Sequence, residues 1–198
     1  DWGFSCLVQT DAGTTILFDT GGCGHILLEN MKALNIDPKS IDIVFISHNH
    51  YDHIGGLSHV LHANGNVTAY LPATLRGVTR AKKIVQVESQ PVKIKKGIYS
   101  TGELLHCEQS LVLTTVNGSV VITGCSHPGL KNILIAAAQY GPIHAVIGGF
   151  HDFSDIQRLK GIPLICPTHC TQKIQEIHAA FPKAYVQGGA GTVITIQG

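Results

Sequence analysis

The chain has 198 residues, 44% of them hydrophobic and only 14% charged, which is enough apolar material for one globular domain spanning 1–198 with an ample core. Fourteen basic residues against thirteen acidic ones give a formal net charge of +1, and the densest basic cluster, Arg80-Ala81-Lys82-Lys83, falls short of the basic stripe of a nucleic-acid surface. No apolar run reaches a membrane span and Trp2-Gly3-Phe4 begins no signal peptide, so the expectation is a soluble, cytoplasmic protein acting on a small molecule, with no nucleic-acid or membrane partner.

Opening on Asp1 rather than methionine is expected of a trimmed, processed or partial chain. Residues 4–10 and 15–19 read as two short strands joined by the turn Asp11-Ala12-Gly13, a hairpin. Residues 25–34 follow with Ile26, Leu27, Met31 and Leu34 at helical spacing, and Pro38 stops the helix. The run Ile41-Asp42-Ile43-Val44-Phe45-Ile46 reads as a buried strand, and directly behind it comes Ser47-His48-Asn49-His50-Tyr51-Asp52-His53-Ile54-Gly55-Gly56-Leu57. Three imidazoles and a carboxylate are thus delivered at the carboxyl end of a strand, where open sheets keep their sites. Histidine and aspartate offer the N and O donors that suit Zn²⁺ or another first-row ion, and four donors here exceed what one tetrahedral ion needs. The excess points to two metals. His48 and His50 alternate along an extended backbone and share a direction, while Asp52 and His53, past the turn, face a second ion; Gly55-Gly56 would supply the bend.

An H-x-H-x-D-H pattern placed after a strand resembles the metallo-β-lactamase superfamily. The resemblance implies a mixed α/β (α+β) fold, a four-layer αβ/βα sandwich, with a one- or two-metal site at the sheet edges and usually hydrolytic chemistry. It also matches Asp19-Thr20-Gly21 to a D-x-G segment whose Asp supports the metal site from behind. A carboxylate that accepts a ligand imidazole's other N–H fixes its tautomer, which gives Asp19 a physical role; serving a turn is the plainer alternative.

Downstream, residues 57–63 read as a helix with His59 and His62 on its solvent side, followed by strands at 67–71, 83–87 and 91–94. The segment between the histidine motif and Thr101-Gly102-Glu103 is shorter than the resembled family usually has. Residues 108–113 and 119–123 alternate as strands around Asn117-Gly118, and Glu108, opening the first of them, reads as solvated. The second strand runs into Gly124-Cys125-Ser126-His127-Pro128-Gly129. Many superfamily members carry a metal-bridging Asp here; in this chain Cys125 stands in its place, as inert packing or as a thiolate donor, and His127 reads as a metal ligand. Residues 130–140 form an amphipathic helix, and the strand around 145–147 leads to Gly148-Gly149-Phe150-His151. A further strand at 162–166 delivers Pro167-Thr168-His169. His169 matches the last ligand of the resembled family, and His151 reads either as a pocket residue assisting proton transfer or as an ordinary loop histidine. The six scattered cysteines read as reduced, mostly buried thiols, and Cys166-Pro167-Thr168-His169-Cys170 lacks the second pair a structural zinc knuckle needs.

Gly-Cys-Ser-His-Pro-Gly, Gly-Gly-Phe-His and Pro-Thr-His-Cys-Thr together resemble one branch of the superfamily, the 7,8-dihydropterin-6-methyl-4-(β-D-ribofuranosyl)aminobenzene-5'-phosphate synthases. That branch implies a dihydropterin diphosphate and a ribosylaminobenzene phosphate as substrates. The expectation is a di-metal hydrolase, zinc first with manganese or iron as alternatives. One ion would be held by His48, His50 and His127 and the other by Asp52, His53 and His169, with Asp52 also orienting the attacking water. A dihydropterin-type transferase, an iron redox enzyme and a non-catalytic metal binder are the alternatives. No P-loop or G-x-G-x-x-G motif marks a nucleotide site.

Overall fold

A computed structural model describes residues 2–198, leaving Asp1 outside them. The chain forms two compact units, the first ending at Glu88 and the second beginning at Ser89.

In the first unit, β1 (Cys6–Gln9), β2 (Thr15–Phe18), β3 (Ile43–Phe45), β4 (Thr68–Pro72) and β5 (Lys83–Val87) lie side by side in that order. Only β1 and β2 pair antiparallel; every other neighbour is parallel. Parallel strands are covered on both faces, which is why β2 and β3 are continuous apolar runs buried along their whole length. Leu17, Val44 and Ile46 on one face pack with Met31 of α1 (Gly24–Ala33) and with Val60 and Leu61 of α3 (Leu57–Ala63). Period-two alternation sends Phe18 and Phe45 to the other face, where their rings stack with centroids 5.3 Å apart. Since β2 and β3 run parallel, Asp19 and Ser47, which follow them, emerge at the same edge. The single-turn helix α2 (Tyr51–Ile54) begins just beyond.

The second unit holds a six-stranded sheet. Its order is β11 (Leu164–Thr168), β10 (Ile143–Gly149), β9 (Gly118–Thr123), β8 (Leu111–Thr115), β7 (Ile98–Ser100) and β6 (Val92–Lys95). β9, β10 and β11 are mutually parallel, so the segments after them, at 124–127, 150–152 and 169–171, leave from one edge. α4 (Leu130–Ala137) and α5 (Ile174–Ala180) cover one face, with Leu130, Ile133, Val146, Ile165 and Ile177 in the core.

The two-sheet mixed α/β architecture is the expected fold class. Several local expectations change. The Thr115↔Gly118 pairing leaves Val116 and Asn117 as the hairpin loop, one residue earlier than Asn-Gly implies. The fourth helix gives way after Ala137 to a 3₁₀ turn, Ala138–Tyr140. β7 and α5 carry too few patterned residues to stand out in the sequence. His59 does not sit on the solvent side of its helix: its ring packs 4.7 Å from that of His25, against the space Gly24 leaves by lacking a side chain. Of the six cysteines only Cys125 and Cys166 are buried, the others being half-buried, and none forms a disulfide. Among the described residues, no helix is long and apolar enough to cross a membrane.

Candidate functional site

Each unit carries its own cluster of donor side chains at the carboxyl ends of parallel strands. In the first, the cluster is organised by Asp19. Its backbone takes the left-handed conformation, φ 54°, an uncommon one for a non-glycine residue that recurs at functional sites. That turn sends a fully buried carboxylate toward the start of the histidine motif. Oδ1 accepts the backbone N–H of Ser47 at 2.7 Å, and Oδ2 accepts the Ser47 hydroxyl at 2.7 Å. The same Oδ2 lies 2.7 Å from Nδ1 of His53.

Ser47 extends this control to a second imidazole, because its Oγ also lies 2.9 Å from Nδ1 of His48. With the hydroxyl proton committed to Asp19, the serine oxygen accepts from His48, which puts the His48 proton on Nδ1. His53 likewise donates from Nδ1 to the carboxylate. Both rings therefore present an Nε2 lone pair, the form a metal ion needs. Sequence reading gave Asp19 this role for one imidazole; it assigned none to Ser47.

The inward-facing atoms pair off. His48 Nε2 lies 3.0 Å from Nδ1 of His50, and His53 Nε2 lies 3.7 Å from Oδ2 of Asp52. Two donors bonded at ~2.0–2.1 Å to one tetrahedral ion stand about 3.3 Å apart, and both spacings bracket that value. The donor set thus fits a divalent metal. His48 and His53 are buried, Asp52 is nearly so, and His50 is exposed. Trp2 adds a contact that the sequence did not signal: its indole N–H donates to Asp52 Oδ2 at 3.1 Å.

The glycines behind the motif do not bend it. Gly55 and Gly56 have ordinary helical angles, φ −59° and −88°. Side chains there would run into the backbone carbonyls of Gly22 and Thr20, so the two glycines serve close approach of the segment that follows Asp19.

In the second unit the organising group is Glu108, which sequence reading placed in solvent. It is fully buried, because β8 begins only at Leu111 and the preceding segment passes beneath the 124–127 loop. Its Oε1 accepts the backbone N–H groups of Gly124, Cys125 and Ser126 at 2.9–3.1 Å and the Thr123 hydroxyl at 3.0 Å. Oε2 accepts the His127 N–H at 3.0 Å. One carboxylate thereby satisfies four successive backbone donors of a tight loop, and the loop displays Cys125 and His127. Only a carboxylate spaced a dozen or more residues upstream signals this in the sequence, and that signal is not specific.

Ser126, His151 and His169 all have positive φ, at 62°, 50° and 52°. Each follows one of three adjacent parallel strands, and each reverses the chain so that a strand end offers its side chains at the edge. The rings of His127 and His151 lie 5.2 Å apart, and His151 Nδ1 lies 3.4 Å from Asp152 Oδ1. His169 is tied in by its neighbours: Gln172 N–H donates to the His151 carbonyl at 2.9 Å, and Thr171 Oγ1 accepts the Phe150 N–H at 2.9 Å. The Cys170 sulfur lies 3.8 Å from the Cys125 carbonyl oxygen. A hydrogen bond from the Cys125 thiol holds the Cys170 thiol down to about 7 against the opposing effect of burial. Cys166, buried in β11, is instead pushed up by that burial.

Residues 3–169 match the family model of the metallo-beta-lactamase superfamily. The chain is 29% identical to the 7,8-dihydropterin-6-methyl-4-(beta-D-ribofuranosyl)-aminobenzene-5'-phosphate synthase of Methanocaldococcus jannaschii, over 85% of this chain and 80% of that protein. It is 28% identical to an uncharacterized protein of the same organism, over 98% of this chain and 93% of the relative. Among solved structures, Tm1679, described as a metal-dependent hydrolase of the beta-lactamase superfamily, superposes with a TM-score of 0.78 at 27% identity, covering 100% of this chain and 93% of that one. The metallo-beta-lactamase fold protein YhfI from Bacillus subtilis superposes with a TM-score of 0.69 at 16% identity, covering 97% and 91%, a likeness of fold. With a family model matched over most of its length and a two-sheet α/β fold shared with these structures, the chain belongs to the metallo-beta-lactamase superfamily.

Proposed function

We propose that the protein is a metal-dependent hydrolase acting on a phosphate or carbonyl ester of a small molecule. The observation that carries this reading is the chain of hydrogen bonds from His48 through Ser47 to Asp19 and back to His53, which turns two Nε2 lone pairs inward beside His50 and Asp52. Four polar side chains gathered at a strand end with their ring protons directed outward give the arrangement a metal ion needs, which apolar packing would not require. His48, His50 and His127 would hold one divalent cation, and Asp52, His53 and His169 a second; Zn²⁺ suits these donors, with Mn²⁺ or Fe²⁺ as alternatives. A bound ion supplies Lewis acidity, lowering the pKa of water and polarising the bond under attack.

The chain's own residues then do the rest. Asp52 orients the attacking water and takes up its proton, while the Trp2 indole N–H holds one carboxylate oxygen in place. His151, half-exposed and beside Asp152, delivers a proton to the leaving group. Glu108 holds the loop that presents His127 without touching substrate. A dihydropterin-type transfer is the second reading, favoured by the 29% identity to the Methanocaldococcus jannaschii synthase. The cysteines fit a reducing compartment inside the cell.

Bound-metal quantification on the purified protein, together with a screen of phosphodiester, lactone and thioester substrates, tests the proposal. His50→Ala is expected to lose metal and turnover together. Full activity in that variant would overturn the mechanism, and turnover only with a dihydropterin diphosphate would select the transferase.

A further inference from the structure

Cys125 and Cys170 lie forty-five positions apart in the chain and meet at one strand edge. The Cys170 thiol approaches the Cys125 carbonyl oxygen, its hydrogen-bond acceptor, to 3.8 Å. The space for this meeting is left by Gly149. A methyl group at that position would stand 2.6 Å from the Cys170 sulfur and 3.3 Å from the Cys125 Cα, so any side chain there would drive the sulfur away. Both residues sit on anchored backbone. The Cys125 N–H is held by Glu108, and Thr171, next to Cys170, is held through its own N–H and hydroxyl by the Thr168 carbonyl. With the Cys170 sulfur already against the Cys125 backbone and both segments anchored, a disulfide between them asks neither backbone to move far. Cys125 is buried while Cys170 is half-buried, which sets the order in which an oxidant reaches them.

We propose that Cys125 and Cys170 form a reversible disulfide, a redox-modification site within the second unit. With a peroxide as oxidant, the half-exposed Cys170 sulfur displaces one oxygen of the peroxide bond, becoming a sulfenic acid as the first water leaves. The Cys125 sulfur then attacks the oxidised sulfur; the S–S bond forms and the second water leaves with the remaining thiol proton. Two thiols lose two electrons in all, and the peroxide is reduced to two waters. A dithiol reductant reverses the step. For the metal chemistry the consequence rests on the function proposed above: oxidation converts the Cys125 thiol, a candidate donor beside His127, into a sulfur that no longer ionises.

The test uses the full chain, reduced and freed of metal with a chelator, then exposed to hydrogen peroxide and alkylated. The disulfide lowers the intact mass by about 2 Da before alkylation, and the alkylatable thiols fall from six to four. Peptide mapping is expected to join Cys125 to Cys170, dithiothreitol to restore all six thiols, and Cys170→Ser to abolish the cross-link. A cross-link joining other cysteines, or Cys170 carried to the sulfinic acid with a gain of about 32 Da while Cys125 stays alkylatable, overturns the proposal. Because mapping on the unaltered chain decides the matter, it does not hinge on how the variant folds. It is read by mass, so it also stands or falls separately from hydrolysis. Metal uptake measured before and after oxidation then tests the link to the donor set, with a fall expected in the oxidised form.

Discussion

The Nδ1 of His53 lies 2.7 Å from Oδ2 of Asp19, thirty-four positions earlier in the chain, with both side chains fully buried. The same carboxylate oxygen takes the Ser47 hydroxyl, so one aspartate sets the proton positions of two imidazoles.

Replacing Asp19 with Asn therefore disturbs both. An amide cannot accept from Ser47 N–H, Ser47 Oγ–H and His53 Nδ1–H at once, and at least one ring loses the partner that fixes its tautomer. Metal affinity is expected to fall about 10- to 100-fold, the range seen when groups behind a ligand are removed. Competition with a chromophoric chelator measures it, and an unchanged affinity would remove Asp19 from the site.

Glu108→Ala strips the partner from three buried backbone N–H groups, the part-buried N–H of His127 and the Thr123 hydroxyl. Leaving buried donors unsatisfied costs ~1–3 kcal/mol each where water cannot replace the acceptor, so a loss of at least about 3 kcal/mol is expected. Glu108→Gln, which keeps one acceptor oxygen, should lose less. Urea denaturation orders the two variants, and equal stability of Glu108→Ala and the unaltered chain would show that the 124–127 loop does not depend on the carboxylate.

Trp2 is the only tryptophan, so its emission reports one place. Its indole N–H donates to Asp52 Oδ2, and a cation drawing on that carboxylate changes the indole's surroundings. Titration with Zn²⁺ is expected to give a saturable change in emission with the midpoint found by chelator competition. Asp52→Asn should flatten the response. Metal uptake with no change in Trp2 emission would count against Asp52 as a ligand.

The Cys170 thiol, held down to about 7 chiefly by the hydrogen bond from Cys125, ionises below the ~8.5 of an ordinary cysteine. Thiolate is the reactive form, so in metal-free protein the rate of alkylation at Cys170 should be near its plateau at pH 8 and decline as pH drops through about 7. Cys125→Ala removes the donor and should move the midpoint upward. Site-resolved alkylation across pH reads both, and a Cys170 midpoint that stays put in that variant would assign the shift to another neighbour.

Local pattern was enough for much of this protein. The apolar run before Ser47 could only be a buried strand, the helix over residues 57–63 followed from its spacing, and H-x-H-x-D-H named four donors, because each of these signals lies within one turn or one strand of chain. What only the tertiary structure decided were the links across long loops: Asp19 turned by a positive φ onto Ser47 and His53, Glu108 drawn under a loop sixteen to nineteen positions later, and Cys170 brought to Cys125. None of these leaves a periodic trace in the sequence. They arise because parallel strands bring the ends of distant segments to one edge, where a polar group excluded from water must find whichever partner the fold places beside it.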